Sequence, residues 1–183
     1  MAKFYTGQGD DGTTGLLGEG RVDKFDVRME AVGAVDEASA AVGVARSLVT
    51  HPGNRERLLA VQRQLYQLMS ELAATPETAA RFHTIDPDAV RRLEMEIDSL
   101  QAQVEIPREF ILPGDTPGSA ALDLARTIVR RAERRIAELI ARGDVANRDL
   151  LPFVNRLSSY LFLLEIAETA ASGREHPTLA KEK

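Results

Sequence analysis

Cysteine is absent from the 183-residue chain, and so is tryptophan. Without thiolates there is no cysteine nucleophile, no disulfide framework and no thiolate metal site, a profile that suits a reducing compartment. Aromatic residues make up 5% of the chain, which leaves few platforms on which nucleobases could stack. The three histidines, His51, His83 and His176, fall in predicted loop or tail segments without metal-ligand spacing, and no Glu-x-x-His motif of a di-iron bundle occurs. No Ser-His-Asp arrangement suggests itself either, so an enzyme built on this chain takes its nucleophile from a cofactor or a substrate. There is no run of eighteen apolar residues, and the opening MAKFYTGQGD lacks a signal-peptide core. The expectation is a soluble, cytoplasmic protein that spans no membrane. A net charge of -5 with a pI near 5.3 argues against a general nucleic-acid binder, whose phosphate contacts demand a basic excess.

What is present is helical. The length suits one domain with a single substantial core. Leu58, Val61, Leu65, Leu68 and Leu72 recur at alternating intervals of three and four, as do Val90, Leu93, Ile97, Leu100 and Val104. Leu122, Ala125, Val129, Ala132, Ile136 and Leu139 mark a third amphipathic helix, and Leu150, Val154, Leu157, Leu161 and Leu164 a fourth. A further helix, about Asp26 to Val49, is rich in small residues that let a neighbouring backbone come close. Pro52-Gly53, Asp86-Pro87 and Thr116-Pro117 punctuate helix starts, and Gly143 and Gly173 sit where C-terminal caps belong. Five helices with no convincing strand pattern predict an all-α, antiparallel five-helix bundle. In this division residues 1–24 form an N-terminal segment, 25–173 the bundle and 174–183 a tail.

Four stretches stand out from that bundle. The first, YTGQGDDGTTGLL from Tyr5 to Leu17, holds four glycines, two aspartates and three threonines. It lacks the lysine signature of a P-loop, and it reads either as a disordered tail or as a nest of amides, with Thr6, Thr13, Thr14 and Lys24, around a polyphosphate. The second, LARTIVRRAERR, sets Arg126, Arg130 and Arg134 four apart, with Glu133 beside them. It is either a solvated face or a source of cations for Asp36, which stands among small apolar residues. The third, the Phe110-Ile111-Leu112 run between Pro107 and Pro113, is either a plug for the core or an apolar wall for a bulky ligand. The fourth is Asn155, between Val154 and Leu157, which needs hydrogen-bond partners, in a structural network or on a ligand.

Together TGQGDDGTT, Lys24, Val35-Asp36-Glu37, FILPG, ARTIVRRAER and NRLSSYLF span nearly the whole chain in order, and they resemble the PduO-type ATP:cob(I)alamin adenosyltransferases. The resemblance implies a homotrimer with an active site at each subunit interface and transfer of the 5′-deoxyadenosyl group from ATP to cob(I)alamin. It implies that Thr6, Gly7, Gln8, Gly9, Asp10, Thr13, Thr14 and Lys24 fold over the triphosphate of ATP, which carries Mg²⁺ without a dedicated protein metal site. Arg130, Glu133, Arg134 and Asn155 would contact the nucleotide, with Arg130 and Lys24 as the catalytic cations. By the same resemblance Asp36 and Arg126 would pair across the interface, and Phe110 would stand against the corrin ring of cobalamin. A cobalamin reductase or a cobalamin-dependent client enzyme would be the kind of partner served. Asp115, Asp123, the DEASA stretch and Ser159 depart from the family pattern, on the corrin side more than on the nucleotide side. The alternative they leave open is a non-catalytic trimer that binds ATP or cobalamin to sense or deliver the cofactor.

Overall fold

The computed structural model describes residues 4–174 and 176–181; positions 1–3 of the N-terminal segment and 175, 182 and 183 of the tail lie outside the described residues. The chain begins with two short antiparallel strands, β1 (Thr13–Gly15) and β2 (Arg21–Asp23), and continues through α1 (Val27–Leu48), α2 (Pro52–Ala73), a single turn α3 (Ala79–Phe82), α4 (Pro87–Gln101), α5 (Pro117–Arg142) and α6 (Leu150–Ala171). The five long helices agree with the sequence reading. The sheet does not: three-residue strands are too short for an alternating pattern to show, so the hairpin is hidden in a glycine-rich segment. Val104 also lies beyond the end of α4, although it still packs against the core.

Local chemistry sets the helix ends. Asp26 and Asp86 cap α1 and α4 by accepting from the backbone N–H of Arg28 and Ala89, each at 2.7 Å. Thr116 and Ser119 form a reciprocal capping box at the start of α5, and Gly143 closes that helix at φ 81°. At the start of α2, His51 makes no side-chain cap bond. The role falls to Glu168 of α6, which accepts from Thr50 Oγ1 at 2.7 Å, from His51 N–H at 3.2 Å and from Asn54 Nδ2 at 2.9 Å.

The core is built on α1 and α5, which run antiparallel at close range. Ala31, Ala34, Ala38, Ala41 and Ala45 on the first face Ala121, Ala125, Val129 and Ala132 on the second, small against small. Helix α2 packs on the far side of α1, and α6 lies between α5 and α4. By length and composition α6 could cross a membrane, yet 67% of its apolar window is buried inside the bundle, as befits a core helix. Arg28 ties one end together: its guanidinium donates to the carbonyls of Leu72 (2.8 Å) and Ala74 (3.2 Å) at the end of α2 and of Asp144 (2.6 Å) just after α5. These carbonyls are at or near helix C-termini, where a cation is favoured.

Candidate functional site

The N-terminal segment is ordered by its own side chains. Two successive turns, Asp10 N–H to Gly7 O and Gly12 N–H to Gly9 O, each at 3.2 Å, curl the chain into a loop ahead of β1. Gly12, at φ 84°, holds a left-handed conformation that a side chain would strain, and its carbonyl accepts from Lys24 N–H at 2.9 Å. The Lys24 ammonium folds back over this loop: a Cβ added at Gly9 would lie 3.1 Å from its Nζ. Arg21 braces the other side, donating to Thr13 Oγ1 (2.7 Å), Gln8 O (2.6 Å) and Thr13 O (3.2 Å). The Asp11 carboxylate accepts from Thr13 N–H (2.9 Å) and Oγ1 (2.8 Å). Those bonds and the Arg21 charge hold it below the usual carboxylate range. Of the two adjacent aspartates Asp11 is thus structural, and the Thr13 hydroxyl is committed within the hairpin. Thr6 accepts from Gln8 N–H at 3.3 Å, while Asp10 and Lys24 are exposed and Thr14 half-buried.

A tether fixes the hairpin to the bundle. Leu17 N–H donates to Ala73 O at 2.8 Å, and Thr78 Oγ1 donates back to Leu17 O. Gly18 crosses so close to Thr75 that a Cβ there would sit 2.3 Å from the threonine hydroxyl. This anchor holds the loop beside the end of α2 and the beginning of α1.

The second group of candidates lies on the outer face of α5 and α6. Successive helix residues point about 100° apart, so the two arginine doublets divide their duties. Arg131 pairs with Glu37 of α1, and Arg135 lies 3.9 Å from Glu30, both ion pairs across the α1–α5 groove. Arg130 and Arg134 point away from α1; both are exposed, Arg134 donates to Arg130 O at 3.0 Å, and the Arg130 side chain makes no bond among the described residues. Glu133 turns to α6 instead of Arg130, accepting from Asn155 Nδ2 at 2.8 Å. Asn155 Oδ1 in turn accepts from Arg156 Nη1 at 3.3 Å, and Arg156 Nε reaches Glu94 of α4 at 3.1 Å. The network orients Asn155 and Glu133 beside two exposed cations.

Two turns nearer the start of α5, the same face opens into a cavity of ≈ 390 Å³ lined by Phe110, Ile111, Pro113, Asp123, Arg126 and Phe162, among others. The Phe110 ring is 89% exposed, which makes it a wall and not a core plug. Arg126 is clamped within its own chain by Asp123, with Nε at 2.8 Å and Nη2 at 2.6 Å from Oδ1. Asp36, on α1, is exposed and makes no ion pair within the chain among the described residues. Behind the clamp lies Glu165, 2% exposed, whose Oε2 has no hydrogen-bond partner among the described residues. Burial pushes its carboxyl up to about 8, with the Asp123 charge adding to the shift and Arg126 opposing it.

The structure therefore gathers Arg130, Glu133, Arg134 and Asn155 beside an apolar cavity that carries Arg126 and Phe110. It does not bring the hairpin to them: among the described residues no hydrogen bond or ion pair joins residues 4–24 to that face. A larger cavity, ≈ 490 Å³, lies at the opposite end of α5 against α3. Its polar lining is occupied internally, by the Arg28 bonds above and by Asn147 Nδ2 donating to Glu71 at 2.6 Å. Sequence reasoning missed Arg21, whose cross-strand reach needs the hairpin register, and Glu165, which reads as one more polar residue at the end of an apolar run.

Comparison with known proteins gives a consistent answer. The family described as Cobalamin adenosyltransferase matches residues 4–168. A corrinoid adenosyltransferase of Bacillus subtilis (strain 168) is 37% identical over 175 residues, 93% of this chain and 89% of the relative. One from Citrobacter freundii is 40% identical over 177 residues, covering 92% and 97%. A variant PduO-type ATP:corrinoid adenosyltransferase from Lactobacillus reuteri, solved with cobalamin and ATP, superposes with a TM-score of 0.88 at 33% identity, over 99% of this chain and 98% of that one.

Proposed function

The chain belongs to the cobalamin adenosyltransferase family, of the PduO type, and on that premise we propose that it transfers the 5′-deoxyadenosyl group of ATP to cob(I)alamin. The observation that carries the reading beyond family membership is the α5–α6 face. There Arg130 and Arg134 are exposed beside Asn155, and an apolar cavity walled by Phe110 and Phe162 adjoins them. Such a surface offers cations to a polyphosphate and a greasy slot to a flat macrocycle.

The chemistry asks for no protein nucleophile. The Co(I) electron pair attacks C5′ of ATP, a cobalt–carbon bond forms, the C5′–O bond breaks, and triphosphate departs with that bond's electrons. The protein aligns the two reacting atoms, excludes water from the cobalt with Phe110 and Phe162, and offsets the charge of the leaving triphosphate with Lys24, Arg130 and Arg134. The described residues hold no group of three His, Cys, Asp or Glu suited to a metal ion. We propose that Mg²⁺ arrives bound to the triphosphate.

The hairpin and the arginine face are separate within one chain, so we propose that they meet between copies. In a homotrimer, Thr6 to Thr14 and Lys24 of one subunit would close over a nucleotide held by Arg130, Glu133, Arg134 and Asn155 of the next. Asp36 would approach Arg126 at the same seam. The absence of cysteine fits work in the cytoplasm, beside a cobalamin reductase or a client that consumes adenosylcobalamin.

Under anaerobic conditions with MgATP and chemically reduced cobalamin, the Co(I) absorbance is expected to decay as adenosylcobalamin appears. A well-folded but silent chain overturns the proposal. One observation favours a second reading, a trimer that binds ATP or cobalamin without joining them: Asp123 already holds Arg126, in competition with Asp36. Tight calorimetric binding beside a silent turnover assay would select it.

A further inference from the structure

The loop that carries Phe110 has little to hold it from its own neighbours. It runs between Pro107 and Pro113, turns at Gly114 (φ 125°), and leaves Phe110 and Leu112 exposed at 89% and 51%. Its backbone is held from outside, by the segment after α6. Leu112 N–H donates to Thr178 O at 2.8 Å, Ala180 N–H donates to Phe110 O at 2.7 Å, and Ile111 bridges Leu179 in antiparallel fashion. At the base of this pairing Asp115, its side chain 8% exposed, accepts from Thr178 N–H (2.9 Å, Oδ2) and Thr178 Oγ1 (2.7 Å, Oδ1), with Arg174 Nη1 at 3.3 Å. Hydrogen bonds to an ionised carboxylate are the strong kind, and three donors converge on this one.

We propose that Asp115 is a positioning residue for the corrinoid: it anchors the C-terminal segment, and the anchored segment holds the Phe110 loop in the shape that walls the cavity. The inference rests on the corrinoid reading of that cavity. Asp115 touches no reacting atom; it sets the fraction of molecules whose loop is competent to bind. When the competent fraction falls, the apparent dissociation constant rises by its inverse. The arginine face stands on rigid helices, so the nucleotide does not feel the change.

The test uses the full chain, Asp115→Ala, Thr178→Val, and a chain ended at Gly173, in which all six helices are retained. Steady-state KM is measured for cob(I)alamin and for ATP separately, and cob(II)alamin is titrated by its visible absorbance with MgATP present. Asp115→Ala and the shortened chain are each expected to raise the corrinoid KM and the cob(II)alamin dissociation constant about tenfold, with ATP KM held within about twofold. Combining the two changes should add nothing, because both release the same anchor. Unchanged corrinoid affinity, or an equal loss for ATP, overturns the proposal. Should Asp115→Ala fail to fold, Thr178→Val and the shortened chain carry the test. If the unmodified chain shows no turnover, adenosyl transfer is refuted, and the cob(II)alamin titration still decides the anchor.

Discussion

Glu165 lies behind the Arg126 clamp, and its carboxyl is held as the neutral acid by burial first and by Asp123 second, against the pull of Arg126. The folded chain binds this proton until about pH 8, whereas the ordinary value is 4.5. The group therefore costs nothing below 4.5, and stability is lost progressively as pH rises from there to the folded value. Glu165→Gln keeps the shape and never ionises. In urea unfolding it is expected to match the unmodified chain near about pH 4.5 and to exceed it by roughly 4 kcal/mol at about pH 8. Equal differences at both values would show that burial does not raise the carboxyl above its ordinary value.

Helix α2 starts without a cap of its own and borrows one from α6. Burial alone would raise the Glu168 carboxyl, but the bonds from Thr50, Asn54 and His51 outweigh it and hold it below the usual range. Its contribution is present above the ordinary value near 4.5 and is lost as pH falls through the lower folded one. At neutral pH Glu168→Ala is expected to cost about 2 to 4 kcal/mol, with faster hydrogen exchange at Thr50 to Asn54. No change in exchange there would mean that the helix start is capped by water. Borrowed caps of this kind explain what could be read in advance and what could not. Periodic leucines and proline starts depend on residues close in sequence, so α2, α4, α5 and α6 were legible. The β-hairpin spreads its signal over strands of three residues, and the Glu168 cap and the Thr178–Asp115 anchor join positions 118 and 63 residues apart. Among site residues, the exposed arginine row could be read from its spacing of four. The turn of Glu133 toward Asn155 could not, because it depends on how α6 lies against α5.

For the molecule as a whole, the separation of Lys24 from Arg130 makes a complementation experiment decisive. Lys24→Ala and Arg130→Ala are each expected to abolish most turnover while leaving helix content unchanged, since both side chains are exposed. Mixed in equal amounts during assembly, the two inactive chains should recover about a quarter of full activity, because a cyclic trimer built at random pairs the intact halves at one seam in four. No recovery would place both halves in one chain. The paired arginine doublets of α5 carry a consequence for how such a protein can diverge. Since Arg131 and Arg135 reach back to α1 while Arg130 and Arg134 face outward, deleting one residue just upstream would rotate the first pair outward and the second inward without altering the chemistry of either. The helix is locked in phase: its descendants can exchange letters, but they cannot change the count.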